Sequence, residues 1–384
     1  MAELNETPKA NRVQIAFFGL RNAGKSTLVN AFAGQEIAIV SDVAGTTTDP
    51  VSKAMEILPL GPCLLTDTGG LDDVGALGEM RVKKAFAVLA TTDVAVWVAS
   101  DAEKGPDGAG EIRRRFDEEC RKHGVAVLEY RRGDDVEAFR KKVAAVKVAE
   151  STRPLVGDLV GRNDLVLLVC PQDGSAPKGR LILPQQQVIR EILDAGGVAQ
   201  VCQPASLSVL FGDGVSPQSS TLNPKFAITD SQAFGAVDAA LPKEIPLTSF
   251  SILFARAKGN LTVFSEGLSA LKTLNDGDTV LVAEGCTHHR QCGDIGTVKL
   301  PKAVAKLTGR KLNFAFCSGG DFPFETIRPK LVIHCGGCML TRREMQRRIA
   351  AACAAGVPVT NYGLVLAAAN GIEADPKTCM VRRR

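Results

Sequence analysis

The sequence predicts an α/β protein of more than one domain. Three observations predict it. An apolar run, Val13-Gln-Ile-Ala-Phe-Phe18, passes through Gly19-Leu-Arg-Asn-Ala-Gly24-Lys25-Ser26-Thr27 into a helical pattern carrying Leu28, Val29, Ala31 and Phe32. From Leu165 onward, short apolar runs alternate with helical patterns, as in a small α/β unit. The cysteines are unevenly spread, with seven of eleven after residue 285. A chain of 384 residues is expected to form two or three domains.

Composition narrows the function. Apolar residues make up 45% of the chain, ample for real cores. Net charge is only +4, aromatics are 5%, and no basic stripe is interleaved with aromatics. Nucleic acid is therefore not an expected partner. No run of 18 apolar residues is present, so no membrane span is expected. Met1 to Asn11 is polar and mixed in charge, without a signal-peptide core. A reducing, cytoplasmic setting is expected, with thiols kept free for metal rather than paired.

The first segment carries G-x-x-x-x-G-K-S between a strand and a helix, the context its chemistry requires. Gly19 and Gly24 permit a loop whose amides face phosphate oxygens, and the helix N-terminus adds partial positive charge. Lys25 is expected to reach the β- and γ-phosphates, and Ser26 to ligate magnesium. A polar loop, Ala44-Gly45-Thr46-Thr47-Thr48-Asp49, follows. Ser52–Leu58 alternates like an edge strand, and a buried strand, Cys63-Leu-Leu-Thr66, ends in Asp67-Thr68-Gly69-Gly70. A carboxylate at that strand end belongs on the magnesium side, and Gly70 can follow the γ-phosphate. The expected nucleotide contacts are Gly19, Asn22, Ala23, Gly24, Lys25, Ser26, Thr27, Thr46, Thr47, Asp67 and Gly70. Lys25, Thr47, Asp67 and Gly70 form the expected catalytic set.

These motifs resemble a translation-factor-type GTPase, and the Gly-Thr-Thr switch with Asn22 resembles its potassium-stimulated branch. The resemblance implies that Asn22 binds potassium and that Thr47 joins Ser26 on magnesium. Leu71 stands where Ras-like enzymes place a water-positioning Gln. Glu79 is a weak candidate for that task, more simply read as a solvated residue. The chain departs from the pattern after Val125-Ala-Val-Leu128. Asn-Lys-x-Asp, whose carboxylate reads guanine, is replaced by Glu129-Tyr-Arg-Arg-Gly-Asp134-Asp135 and a basic helical pattern over 136–149. Phosphate and magnesium binding should survive, with weakened discrimination among bases.

Ser151 to Asp164 reads as a linker, with Pro154, Gly157 and Gly161. Leu165–Val169, Val198–Cys202, Leu207–Leu210 and Lys225–Ile228 read as short strands, and Gln185–Ala195 as a helix. No cluster of His, Cys or carboxylates lies here, so a structural or interaction role is expected.

The third segment holds Cys286-Thr-His288-His289 and, after the apolar run Leu331-Val-Ile, His334-Cys335-Gly-Gly-Cys338. Three of the four histidines lie in these two patches. Thiolate and imidazole suit iron-sulfur clusters or zinc, and CxxC spacing alone does not separate the two. A zinc-stapled regulatory GTPase without cargo is the alternative reading. Leu340–Ala355 reads as a basic helix with a solvated face bearing Arg342, Arg343, Arg347 and Arg348.

Further stretches carry a resemblance over residues 12–375: Ala176-Pro-Lys-Gly-Arg-Leu-Ile-Leu-Pro-Gln185, Ile228–Phe234, Leu247–Leu253, Asp294-Ile-Gly296 and Asn361-Tyr-Gly363. With CxH and HCxxC separated by 45 residues between His288 and His334, the chain resembles the HydF family of FeFe-hydrogenase maturation GTPases. That resemblance implies a P-loop GTPase domain over 1–150, a small α/β dimerisation domain over 151–255 and an α/β iron-sulfur domain over 256–384. It implies GTP, magnesium and potassium as ligands, and a homodimer. It implies a 4Fe-4S cluster on Cys286, Cys335 and Cys338, with His288 or His334 as possible fourth ligand. The implied task is to carry a diiron subcluster precursor to apo FeFe-hydrogenase, in company with two radical-SAM maturases.

Overall fold

The computed structural model describes residues 8–34, 50–73, 75–100, 109–147, 153–172, 181–211, 223–286 and 294–383. They divide into two compact units, Met1–Ser151 and Thr152–Arg384.

The first unit runs β1 (Val13–Phe18), α1 (Lys25–Ala33), β2 (Val51–Ile57), β3 (Gly61–Asp67), α2 (Gly75–Leu89), β4 (Val94–Ala99), α3 (Ala109–His123), β5 (Ala126–Arg131) and α4 (Val136–Ala144). The sheet order is β2-β3-β1-β4-β5, with edge strand β2 antiparallel and the rest parallel. The central strands are nearly continuous apolar runs because helices cover both faces. On one face, α1 and α4 pack through Phe17, Phe32 and Phe139. On the other, α2 and α3 bury Phe18, Trp97 and Phe116. From β1, successive connections lead to β3 on one side and β4 on the other. The crevice at the C-terminal end of β1 is thus a topological switch point, where α/β sheets bind ligands.

The second unit continues with β6 (Leu165–Val169), α5 (Leu183–Asp194), β7 (Val198–Cys202), α6 (Leu207–Phe211), β8 (Phe226–Thr229), α7 (Phe234–Ala240), β9 (Leu247–Ser249), α8 (Phe250–Lys258) and α9 (Leu261–Ser269). Next come β10 (Thr279–Ala283), a π-turn at Ile295–Lys299, α10 (Leu300–Thr308), β11 (Asn313–Cys317), α11 (Phe324–Ile327), β12 (Leu331–His334), α12 (Arg342–Ala354), β13 (Val359–Asn361), α13 (Tyr362–Ala369), β14 (Ile372–Ala374) and β15 (Val381–Arg383). Two sheets result. One is six-stranded, β14-β15-β9-β8-β6-β7, and the other four-stranded and parallel, β11-β10-β12-β13.

Two expectations about the middle segment change. Leu207–Leu210, read as a strand, lies in helix α6. A four-residue apolar run fits either element, and the 3-10 turn Pro204–Ser206 leads directly into the helix. The stretch read as a linker contributes Leu155, Val156 and Val160 to the core.

Helix α8 explains this packing. Seven of its side chains, from Ile252 to Lys258, are buried in succession, so it is enclosed on every side rather than amphipathic. One core surrounds it, drawing on β6, β8, β10, β12 and the C-terminal strands. The division drawn at residue 255 falls inside this helix. Arg256 and Lys258 at its C-terminal end favour the negative end of the helix dipole. Arg256 reaches back to the 154–158 stretch, donating to the carbonyls of Pro154 and Leu155, each at 3.1 Å, and to both oxygens of Asp158.

Removing Asp158 would leave the Arg256 guanidinium without its anion in the core. Asp158 is 38% exposed and two carbonyls still accept from Arg256, so we expect Asp158→Ala to lower stability by about 1.5 kcal/mol, read from urea unfolding of the full chain. Loss below about 0.5 kcal/mol would contradict the clamp.

Candidate nucleotide site and candidate metal centre

The nucleotide loop is fixed by close backbone approach. A Cβ on Gly19 would lie 2.6 Å from the Val98 carbonyl, and φ there is +151°. Asn22 takes a left-handed φ of +56° at the exposed lip of the loop, and Gly24 caps α1. Ala23 is buried, whereas Thr27 faces solvent. Lys25 is buried, and its ammonium donates to the carbonyls of Leu20 (2.7 Å) and Gly19 (3.3 Å). Burial lowers its pKa, against the opposing pull of Asp67, Asp72 and Asp73.

Register places Asp67 beside Phe17, next to the loop. Ser26 Oγ donates to Asp67 Oδ2 at 2.6 Å. Asp67 is fully buried and its Oδ1 has no hydrogen-bond partner among the described residues. Burial holds its pKa above the usual carboxylate range. An orphaned carboxylate oxygen and a hydroxyl on adjacent elements form a hard-oxygen donor pair, which fits a magnesium ion. Thr46 and Thr47 lie outside the described residues.

Sequence reasoning passed over the partners of the second switch. Arg21 N donates to Asp72 Oδ1 at 2.6 Å, and its guanidinium lies 3.4 Å from Asp73. Leu71 N donates to the Gly19 carbonyl at 3.2 Å. Gly70 sits against Arg21, where a Cβ would meet Arg21 Cγ at 2.5 Å. The segment after β3 is thus laced to the phosphate loop. Glu79 is exposed on α2.

At the end of β5 the carboxylates are all committed. Glu129 accepts from Arg113 (3.1 Å) and Arg131 (3.0 Å). Asp134 accepts from Arg131 N at 2.9 Å. Asp135 caps α4, accepting from the amides of Glu137 and Ala138. Arg140 of α4 donates to the Phe32 carbonyl at the end of α1.

The second constellation sits at another switch point. From β10 the chain passes to β11 on one side, while β12 lies on the other. Ala283 of β10 pairs with His334 of β12, so Cys286 and Cys335 leave adjacent parallel strand ends. Cys335 Sγ accepts from Gly285 N at 3.0 Å and from Gly337 N at 3.3 Å. Gly337 has φ +68°, and a Cβ there would strike Met345 Cε at 2.4 Å. Burial, then the neighbouring thiols of Cys338 and Cys286, push Cys335 up to about 12. Burial and the Cys338 thiol likewise push Cys286 to about 12. Three thiols that sense one another, with amides aimed at sulfur, suit a thiolate-bound metal in kind. Among the described residues, no three His, Cys, Asp or Glu side chains are gathered closely enough to hold a metal ion. His288, His289 and Cys292 lie outside the described residues.

His334 faces inward. It is 1% exposed; Nδ1 contacts the Cys335 carbonyl at 2.9 Å, and Arg348 Nη1 contacts Nε2 at 3.2 Å. Burial, then the Arg348 charge, lowers its pKa to about 4. The neutral ring donates from Nδ1 and accepts at Nε2, so both nitrogens are engaged. Arg348 itself is 1% exposed and bonded to Glu344 at 2.7 Å. The solvated face expected for this helix is corrected there, because Glu344 pairs the charge inside. Asn361 Nδ2 donates to the His334 carbonyl, and the Tyr362 hydroxyl to Glu284 Oε1 at 3.4 Å. The sequence motif at 361–363 thereby braces both strand ends.

Lys258 is the other residue sequence reasoning missed. Its ammonium donates to the carbonyls of Gly337 (3.1 Å), Cys338 (3.0 Å) and Leu340 (2.7 Å). Burial lowers its pKa to about 8 against the pull of Cys338 and Cys335.

Fold and phosphate loop together define a P-loop GTPase domain joined to a larger α/β unit. A profile described as 50S ribosome-binding GTPase matches residues 14–129. Profiles for the hydrogen maturase F dimerization and tetramerization domains match 155–259 and 262–374. The chain belongs to the hydrogen maturase F (HydF) family. The GTPase region is also similar to tRNA modification GTPase MnmE of Erythrobacter litoralis, 37% identical over 123 residues, covering 30% of this chain and 28% of that protein. The MnmE of Rhizorhabdus wittichii is 38% identical over 119 residues, covering 30% and 26%. The chain thus spans under a third of these relatives. The structure of Aquifex aeolicus Era bound to GDP.AlF4- superposes with a TM-score of 0.27 at 15% identity, covering 80% of this chain and 92% of that one. That likeness is too slight to carry an argument.

Asp67 supplies a test. A carboxylate whose pKa is raised by folding favours the folded state below about pH 4 and loses that contribution as pH rises. Asp67→Asn, neutral throughout, should melt at or above the wild-type temperature at pH 7 without nucleotide. Its advantage should vanish as pH falls, and its magnesium-dependent hydrolysis should be lost. A less stable variant at pH 7 would contradict the assignment.

Proposed function

We propose that the chain is a GTP-hydrolysing scaffold in FeFe-hydrogenase maturation. The observation that carries this reading is the convergence of Cys286 and Cys335 at the β10/β12 switch point, with two amides aimed at the Cys335 sulfur. Cys286, Cys335 and Cys338 would hold a 4Fe-4S cluster. Such a cluster, when bound, supplies an iron position free of thiolate, where a diiron precursor can be kept before delivery to apo-hydrogenase. His334 serves as a brace, since both its nitrogens are engaged; His288 stays a candidate fourth ligand. Two radical-SAM maturases are the proposed donors. A cytoplasmic setting suits exposed and half-buried thiols kept reduced.

In the first unit, the loop amides and Lys25 hold the β- and γ-phosphates. Ser26 and Asp67 face magnesium, Thr47 joins them from its switch, and Asn22 offers its amide oxygen to potassium. Arg21, bound to Asp72 and Asp73, links the phosphate loop to the second switch. Loss of the γ-phosphate is then felt at Gly70, so hydrolysis gates partner exchange rather than performing the maturation chemistry.

Oligomerisation is supported by the dimerization and tetramerization domains of the family. Strand β7 is an outer strand of its sheet and exposes Val198 and Val201, a template for pairing with a second copy.

Three outcomes follow. Anaerobic reconstitution with iron and sulfide should give a brown protein with a cluster EPR signal that Cys335→Ser abolishes; stoichiometric zinc in its place would sink the carrier reading. Hydrolysis should depend on potassium over sodium and lose that dependence in Asn22→Ala, with Lys25→Ala as inactive control. Because Glu129, Asp134 and Asp135 are all committed, kcat/KM for GTP and ATP should differ by no more than about tenfold, against the 10⁴-fold or greater discrimination of sites built to hydrogen-bond a substrate. Rejection of ATP on that larger scale would overturn it.

A further inference from the structure

The cysteine turn is held from below by a single cation. Its carbonyls at Gly337, Cys338 and Leu340 all accept from the buried Lys258 ammonium. The Gly337 amide of the same turn donates to Cys335 Sγ. The peptide units whose Gly337 and Cys338 carbonyls face Lys258 carry their N–H groups on Cys338 and Met339, and both of those amides are turned to the Cys338 sulfur. The lysine is itself fixed. Gln346 Nε2 donates to the carbonyls of Lys258 (2.9 Å) and Gly259 (3.0 Å), tying the end of α8 to α12. The ammonium also lies 5.3 Å from the Phe254 ring centroid, over a face that favours cations. The ammonium is too buried for salt to screen it.

We infer that Lys258 is a positioning residue for the metal centre: it fixes the Cys335–Cys338 turn with its amides toward sulfur and places one positive charge beside the thiolates. The inference rests on the iron-sulfur reading above, and it adds what sets the turn and the redox poise. A fixed positive charge near a thiolate-bound cluster favours the reduced form, because reduction adds negative charge.

The test uses the full chain as wild type, Lys258→Met, Lys258→Gln and Lys258→Arg, reconstituted anaerobically. Iron and sulfide content, the EPR signal and the midpoint potential at pH 7 are measured. Met and Gln variants should shift the potential negative enough to change the reduction equilibrium at least tenfold, about 59 mV for one electron. Arg should restore most of it. Gln keeps an N–H donor without charge, so it separates charge from support if Met fails to fold. A neutral variant with wild-type potential and EPR signal would overturn the inference. A second arm needs no metal. In the metal-free chain, amide exchange at Gly337 to Leu340 should quicken at least tenfold in Lys258→Met or Lys258→Gln. Unchanged exchange would refute the positioning role even if the wild type takes up no cluster, an outcome that would sink only the iron-sulfur reading.

Discussion

A charge inside a protein must be met by partners, and in the second unit this constraint sets the layout. Helix α8 is enclosed on all sides, yet its last turn carries Arg256 and Lys258, 4% and 8% exposed. Neither can be stripped of water without ready acceptors. The 154–158 stretch supplies them for Arg256, and the cysteine turn for Lys258. The helix therefore does more than fill a core. It fixes the entry of the chain into the unit at one side and the candidate metal centre at the other. The same logic governs Arg348, buried at the opposite flank of the turn between Glu344, His334 and the Gly319 carbonyl.

Both sites use one topological device in different sheets. Each lies where connections from a central parallel strand diverge, at β1 in the first unit and at β10 in the second. Strand carbonyls and amides are paired within the sheet, and only at the diverging ends do loops bring unpaired groups together. In the first unit these groups are hard oxygens and backbone amides, suited to phosphate and magnesium. In the second they are thiols with amide donors, suited to soft metals.

What the sequence made legible follows from distance along the chain. The phosphate loop is nine consecutive residues between a strand and a helix, so its pattern is readable directly. Asp67 was readable because a strand end gave it context. The half-buried CxxC turn was visible for the same reason. Lys258 was not, since its acceptors lie 79 to 82 residues away, and nothing local distinguishes it from a helix-end lysine. Arg21 looked like a loop residue until the fold brought Asp72, 51 positions on, against its amide. His334 carried a ligand-like spacing, and only the fold shows both of its nitrogens engaged. The 151–164 stretch has turn-forming residues but also the apolar Leu155 and Val156, which composition could not assign to a core.

The pairing of β15 with β9 has a consequence in time. Thr248 donates to the carbonyl of Cys379, a contact spanning 131 residues, and the β14–β15 hairpin completes the six-stranded sheet. A ribosome emits the chain from its N-terminal side, so β9 emerges long before its neighbour. The edge of β9 stays open until residues beyond 372 appear, while the cysteine turn is already made. This sheet is completed only through that pairing, and long-range pairing of this kind is slow. The first unit buries its own cores and draws on none of these residues. A chain without residues 372–383 would therefore keep its phosphate loop but leave β9 without its β15 neighbour and the α8 core without Ile372, Cys379 and Val381.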